Sequence, residues 1–397
     1  MQKAFIGLAG LVAAGLVAAA PAQAQGTIKI GVILPLSGQF ADTGIQMRNG
    51  IQAYMKQHGD TVAGKKIELI IKDTGGINPP VAKRLAQELV VRDKVDILAG
   101  FVLTPNALAA GDVSKEANKF MVVMNAATSI ITEKSDKMIR TSMTLPQAGD
   151  TLGRWAATKG GIKSCYTMVS DYGPGHDVEQ SFVKAFTAAG GKIVGSVRFP
   201  VANPDFAAFI QRAKDLNPEC IMIFVPGGTQ PAAIAKAMAE RGIDMTKTKI
   251  LGTGELTGEQ ALQGMGRAAV GILTGWHYDY KQDTKENKEF VKIHQELFKR
   301  NPDLFSLGGY DGMHAIYEAL KKTNGNTDGA ALVNAAKGLK WNSPRGPMSI
   351  DPETRDVVQT IYIREVKMVD GEPTNVIFDK VENVKDPVKE EMKKKTN

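Results

Sequence analysis

Histidine and cysteine are scarce in this chain of 397 residues, at five and two respectively. The histidines are dispersed: His58, His294 and His314 fall on helix faces, His176 at a helix start, and His277 where the chain is expected to cross between units. Cys165 and Cys220 are far apart as well, so no group has metal-ligand spacing, and neither a metal nor a cofactor is expected. No Gly-x-Ser-x-Gly elbow and no His-Glu-x-x-His motif occurs, and no nucleophile stands beside a base, so the chain is expected not to be an enzyme. An excess of one charge is missing too. The 49 basic residues face 42 acidic ones, mixed along the chain, and the net charge of +7 makes no patch for nucleic acid. The one basic run, Lys393–Lys395, reads as a solvated tail.

Long apolar runs are confined to one place. Lys3, the apolar Phe5–Ala20 and the small-residue site Ala22-Gln23-Ala24 read as an export signal cleaved after Ala24. The run is shorter than a typical membrane span and no second one follows it, so the expected location is the periplasm. Cys165 and Cys220 each sit near the start of an apolar run, Cys165–Val169 and Cys220–Val225. In that oxidising compartment they pair if the two strands are suitably placed neighbours, and otherwise remain two buried thiols. Gly/Ser linkers, low-complexity tracts and short repeats are absent.

What is present is alternation of strand and helix. Ile28–Leu36, Lys66–Lys72, Val95–Gly100 and Phe120–Met124 read as strands, separated by helices that include Pro80–Arg92 and Pro105–Asn118. The pattern restarts with strands Ser164–Val169, Lys192–Phe199, Cys220–Val225, Lys249–Gly252 and Val270–Gly275, with helices between them, one of them capped by Asn203. Two βαβ arrays of this kind make an α/β protein with two doubly wound parallel sheets. The later helices 285–300, 309–322 and 328–338 and strands 348–351 and 357–366 complete the two units rather than build a third. The chain must therefore cross between them more than once, near 144–147, 276–280 and 343–353, which favours a hinge.

The ends of two strands draw attention. The apolar Phe120–Met124 stops in Asn125-Ala126-Ala127-Thr128, small residues that let a ligand approach the backbone, with a hydroxyl at the end. Val95–Gly100 runs into Phe101-Val102-Leu103-Thr104-Pro105, where Thr104 suits a helix N-cap and the N–H groups of Asn106 and Ala107 would be free donors for an anion. Strand ends converging on one crevice are where open α/β sheets hold ligands. Two other glycine-rich stretches fit less well. Gly59–Lys65 lacks the Ser or Thr of a phosphate loop and has helix before and strand after. Gly252–Gly258 spaces its third glycine one residue late for a dinucleotide fingerprint.

In order, IKIGVILPLSG, DTG, ILAG, NAAT, SDYG and SPRGP resemble the type I periplasmic binding proteins, the solute receptors of ABC importers of the Leu/Ile/Val-binding kind. The resemblance covers essentially the whole mature chain. It implies two Rossmann-like lobes joined by a three-strand hinge, the first formed by 27–145 plus 277–351 and the second by 146–276 plus 352–383. A charged tail, 384–397, follows. It implies a monomer that captures a small hydrophobic carboxylate and meets a membrane permease and ATPase. The ligand would be a branched-chain or aromatic amino acid, or an aromatic acid; an exported ligand sensor or an exported hydrolase on the same fold are the alternatives.

The resemblance also places the contacts. Thr104, Ala126 and Thr128, with Asn125 and Ala127 beside them, match the grip on the carboxylate. Thr43 matches a loop aromatic by spacing, with Phe40 close by, and Tyr172 in SDYG matches the aromatic of the second lobe. Pro226, Gly227 and Thr229 match a loop whose usual aromatic is missing here, and Gly254-Glu255 fall near the acid that pairs with an ammonium. Phe40, Phe101, Leu103, Tyr172 and Tyr278 offer apolar surface at the cleft edges. Thr104-Pro105, His277-Tyr278 and Ser343–Pro347 look like a subset that takes aromatic carboxylates. Arg345 reads either as a guanidinium clamp on a carboxylate or as a hinge ion pair.

Overall fold

The computed structural model describes residues 26–396. The export-signal reading lies outside the described residues. The first run is β1 (Thr27–Leu34), α1 (Ala41–His58), β2 (Thr61–Val62), β3 (Lys65–Asp73), α2 (Pro79–Val91), β4 (Ile97–Gly100), α3 (Thr104–Glu116), β5 (Phe120–Val123) and β6 (Met138–Arg140). The second is α4 (Leu145–Ala157), β7 (Ser164–Ser170), α5 (Gly173–Ala188), β8 (Lys192–Phe199), α6 (Phe206–Asp215), β9 (Cys220–Phe224), α7 (Gln230–Glu240), β10 (Lys249–Thr253), α8 (Glu259–Met265) and β11 (Leu273–Trp276). The remainder is α9 (Lys285–Phe298), α10 (Leu304–Lys322), α11 (Gly329–Ala336), β12 (Lys340–Ser343), β13 (Gly346–Ile350), β14 (Val357–Val369), β15 (Glu372–Val384) and α12 (Pro387–Thr396).

Two sheets result. The first runs β2-β3-β1-β4-β5-β6 and is parallel apart from the β2–β3 hairpin. In the second, β8, β7, β9, β10 and β11 are parallel, and β14 follows antiparallel to β11 and pairs in turn with β15. The central strands β4, β5 and β9 are buried at every residue, as continuous Ile/Leu/Val/Met/Phe runs covered on both faces must be. Both sheets carry their parallel strand ends toward one crevice between them.

The later elements divide. Helices α9 and α10 pack on α1, and α11 packs on α10 and β5. The β12–β13 hairpin joins the start of β14 and so hydrogen-bonds to the second sheet. α10 lies very close to α1: a Cβ at Gly309 would sit 2.2 Å from the Met47 carbonyl oxygen, and one at Gly50 1.7 Å from that of Ser306. Only glycine permits that backbone approach. The sequence pattern places the start of this helix at Gly309; it begins at Leu304 because Asp303 caps it, accepting from Phe305 N and Ser306 N at 2.9 Å each.

Several local expectations change. Asn203 does not cap α6; Asp205 does, accepting from Ala207 N at 3.1 Å. Thr104 is the first residue of α3 rather than its cap, and the Ala107 N–H is taken by the Leu103 carbonyl at 3.1 Å. The Gly59–Lys65 stretch is a hairpin turn with positive φ at Ala63 and Gly64. Cys165 and Cys220 stand opposite each other on neighbouring strands β7 and β9 and form a disulfide. The charged tail 384–397 folds as the helix α12, whose Lys389 is buried, while Lys394 and Lys395 of the basic run are exposed.

Candidate functional site

The NAAT segment leaves β5 and is fixed by its own backbone. Ala126 N donates to the Phe101 carbonyl at 2.9 Å, and Leu145 N to the Ala127 carbonyl at 3.0 Å. Asn125 donates through Nδ2 to the Val102 carbonyl at 2.9 Å, leaving its Oδ1 buried without a partner. Thr128 donates through its hydroxyl to Thr104 Oγ1 at 3.1 Å, so the ends of β4 and β5 present a pair of adjoining hydroxyls at the start of α3. Behind them Arg140 donates through Nη1 to the carbonyls of Ala126 at 3.1 Å and Thr128 at 2.7 Å, and through Nε and Nη2 to Asp356.

The second lobe closes on this point. α5 begins at Gly173, and a Cβ there would stand 3.0 Å from Thr128 Oγ1 and 3.8 Å from Thr104 Cγ2. Two helix N-termini, one from each lobe, therefore meet at the two hydroxyls. Unsatisfied N–H groups and the aligned peptide dipoles make such a place favourable for an anion. Further along, Gly228 abuts the Gln39 carbonyl and the Phe40 ring, and Gly227 lies against Phe305 and Thr43.

The walls beyond the hydroxyl pair are apolar and aromatic. Tyr172, half-buried, stacks at 6.2 Å on the buried Phe224. Phe40, Phe305 and Trp276 are buried, and Gly254 lies flat against the Trp276 indole. Between Thr43, Gly227, Glu255, Asp303 and Phe305 there is a small cavity of about 30 Å³.

Glu255 is one of four carboxyls on that cavity, with Asp42, Glu259 and Asp303. It is 6% exposed, no basic group among the described residues lies within ion-pair distance of it, and its Oε2 has no hydrogen-bond partner. Burial pushes its carboxyl up to about 7, against the pull of Arg364. The Tyr172 hydroxyl is held well above the ordinary tyrosine range by burial and then by the Glu255 charge. His277 is buried and kept neutral by burial and by the Arg345 and Arg364 charges. Buried Ser170 Oγ, Trp276 Nε1 and His277 Nδ1 also lack partners. Buried polar atoms are nearly always paired, so these groups have hydrogen-bonding capacity left unused within the protein.

The structure thus brings together Phe40, Thr43, Thr104, Thr128, Tyr172, Gly227, Gly254 and Glu255. Asn125, Ala126 and Ala127 supply the backbone beneath, with Leu103 and Pro226 buried alongside. Phe101 is elsewhere: with φ +66° it turns into the core formed with Leu85, Leu89 and Val113. Tyr278 is turned to Asn287, donating its hydroxyl to Oδ1 at 3.0 Å. Thr229 is exposed at the start of α7. Arg345 clamps no carboxylate in the cleft; it forms a buried ion pair with Asp311. Trp276, Phe224, Phe305, Ser129 and Arg140 were not expected at the site, since only the paired sheets bring them to it.

A serine–histidine contact exists, Ser306 Oγ to His294 Nε2 at 3.2 Å. Both side chains are fully buried, and the serine hydroxyl is already engaged by Gln46 and Asp303, so the pair is part of the packing between α9 and α10. Among the described residues no group of His, Cys, Asp and Glu has the geometry of a metal site.

Residues 27–372 match the periplasmic binding protein family. A Leu/Ile/Val-binding protein homolog 6 from Brucella melitensis is 43% identical over 354 residues, 89% of this chain and 90% of that one. A solute binding protein of an ABC transporter from Rhodopseudomonas palustris BisB5, solved with 3,4-dihydroxybenzoic acid, is 50% identical, with a TM-score of 0.88 over 91% of this chain and 99% of its own. A solute binding protein from R. palustris solved with 4-hydroxybenzoate is 39% identical, with a TM-score of 0.89 and the same coverage.

Proposed function

The chain belongs to the periplasmic binding protein family, and from that premise we propose that it captures an aromatic carboxylate between its two lobes and presents it to the permease and ATPase of an ABC importer. The observation that carries this reading is the meeting of the Thr104–Thr128 hydroxyl pair with the starts of α3 and α5. That arrangement binds an anion from both lobes at once, and a ligand that touches both stabilises the closed form. Phe40, Tyr172, Phe224 and Trp276 give the flat apolar body of the ligand its walls. The relatives solved with hydroxylated benzoic acids are the more similar of the comparison structures and support this class.

The lobes in this reading are 27–145 plus 277–351 and 146–276 plus 352–383, with 384–397 beyond them. The protein acts as a monomer in the periplasm after cleavage at Ala24, and binds without transforming the ligand. A branched-chain amino acid is the competing ligand. Its ammonium would need a committed anion, yet burial pushes Glu255 up to about 7, Glu259 to about 8 and Asp303 to about 6, and Asp42 is paired with Arg300. A neutral carboxyl suits a phenolic hydroxyl, which it can both donate to and accept from.

Calorimetric titration of the mature protein with 4-hydroxybenzoate, 3,4-dihydroxybenzoate, benzoate, leucine and phenylalanine tests the proposal. The expected result is that the aromatic acids bind at least about tenfold tighter than either amino acid, a difference of roughly 1.4 kcal/mol. Tighter binding of leucine would overturn it.

A further inference from the structure

Ser129 follows the NAAT segment directly and is held from two directions. Its N–H donates to Asp177 Oδ2 of α5, across the cleft, at 2.8 Å. Its hydroxyl donates to Asp386 Oδ2, at the entry to α12, at 2.5 Å. Asp386 is itself fixed as the cap of that helix, its Oδ1 accepting from Val388 N at 2.8 Å and Lys389 N at 3.3 Å.

Lys389, 4% exposed, then ties the helix to the underside of the same segment. Its ammonium lies 2.8 Å from Asp356 Oδ2 and 3.1 Å from Glu133, and it donates to the Thr132 hydroxyl. Asp356 takes Arg140 Nε at 2.9 Å and Nη2 at 2.7 Å on its other oxygen, and Arg140 holds the Ala126 and Thr128 carbonyls. Those two carbonyls set the peptide planes on which the Thr128 hydroxyl and the neighbouring N–H groups stand. On the far side, α12 reaches α5 through Glu391 and Lys184. A solvated tail would not bury a lysine between two carboxylates and a hydroxyl.

We infer that the C-terminal helix is a working part of the ligand site: Asp386 and Lys389 are positioning residues that hold the Ala126–Ser129 segment, and Asp177 is the latch by which the second lobe closes onto it. The inference rests on the reading of the cleft as an anion-binding site. The latch works through one bond, Ser129 N–H to Asp177. The strap works through two, the Ser129 hydroxyl to Asp386 and the chain Lys389–Asp356–Arg140.

The test has one arm without ligand and one with it. Without ligand, hydrogen exchange of the peptide covering 120–134 is compared between the full chain and its Asp386→Ala and Lys389→Ala variants. Exchange about tenfold faster or more in both is expected, since local opening becomes easier. With 4-hydroxybenzoate, the same variants should bind about tenfold more weakly, the loss of one charge-assisted hydrogen bond. Asp177→Ala should weaken binding severalfold without lowering the melting temperature of the free protein, and Asp177→Asn, which keeps the accepting oxygen, should restore it. Variants of Asp386 and Lys389 that melt earlier yet exchange and bind like the wild type would make α12 a mere stabiliser and overturn the inference. If the wild type binds no aromatic carboxylate, the proposed ligand class fails, and the exchange arm alone decides for or against the strap.

Discussion

Arg345 and Asp311 form an ion pair with both side chains out of solvent, Nη2 to Oδ2 at 2.5 Å and Nε to the same oxygen at 3.0 Å. Asp311 sits on α10 and also accepts from Ser343 Oγ at 2.8 Å and Trp341 Nε1 at 3.2 Å. Arg345 spends its remaining donors on the Thr141 and Ser142 carbonyls and on Gln359. The pair therefore pins the β12–β13 turn to the segment that leads from the first sheet to the second. Removing one partner strands a buried charge, which costs about 3–5 kcal/mol. Arg345→Ala should lose stability of that order in urea denaturation. A loss under about 1 kcal/mol, the level of a surface pair, would mean that the site is wet.

The disulfide makes a second stability prediction. Cys165 and Cys220 close a loop with a sequence separation of 55, for which the chain-entropy argument gives about 4 kcal/mol at most. Replacing both by alanine should cost about 2–4 kcal/mol on thermal or chemical unfolding. The pair stands at the starts of β7 and β9, whereas the cleft is at their other ends, near Ser170 and Phe224. Ligand affinity should thus stay within about twofold of wild type, well under the tenfold that 1.4 kcal/mol represents. A large loss of affinity would show that the second sheet is deformed.

Thr128 carries the test of the anion grip. Its hydroxyl and that of Thr104 lie 3.1 Å apart at the focus of both helix starts. Thr128→Val keeps the shape and removes the hydroxyl, and with it the bond that holds Thr104 Oγ1 beside it. A hydrogen bond to a charged group contributes about 1.5–3 kcal/mol, so binding should weaken roughly ten- to a hundred-fold with the fold unchanged by circular dichroism. Wild-type affinity in that variant would take Thr128 out of the site.

The elements that make the cleft were legible because their signals are local. Buried parallel strands read as apolar runs, and the NAAT and SDYG ends carry small residues where backbones meet. Two missed elements had signals as well: Thr144 and Gln147 form a capping pair that announces α4, and Asp370-Gly371 joins β14 to β15 as a tight hairpin. Phe101 could not be placed from sequence, because its direction depends on a left-handed backbone that few non-glycine residues adopt. Arg140, Asp356 and Lys389 were invisible for a different reason. Their roles come from contacts spanning more than 200 residues or joining separate elements, which periodicity does not report.

The last prediction concerns pH, and its sign follows from two carboxyls that closure buries. Asp177 is pushed up to about 6 by burial and by the neighbouring Asp386, while the Ser129 N–H, Arg140 and His176 pull the other way. Glu255 is pushed up to about 7 by burial, with Thr253 and Arg364 opposing. On the proposed reading, in which the lobes close over the ligand, opening the cleft returns both to water and toward their ordinary values of 3.8 and 4.5. A raised acid pKa means that the closed form holds its proton more tightly than the open form. Closing on a ligand should therefore take up protons, and affinity should be highest at low pH and fall as pH rises through about 6 and 7. Above about 8 both groups are ionised in either form and the loss is complete, at about tenfold or more, because a carboxyl raised from about 4.5 to about 7 holds its proton far more than tenfold more tightly. The anionic ligand reinforces the direction, because an ionised Glu255 repels it. Calorimetric titration of 4-hydroxybenzoate between pH 5 and 8, in two buffers of different ionisation enthalpy, measures affinity and proton uptake together. Glu255→Gln should flatten the upper part of the profile and Asp177→Asn the lower part. Affinity that rises with pH, or proton release on binding, would show that neither carboxyl is buried by closure.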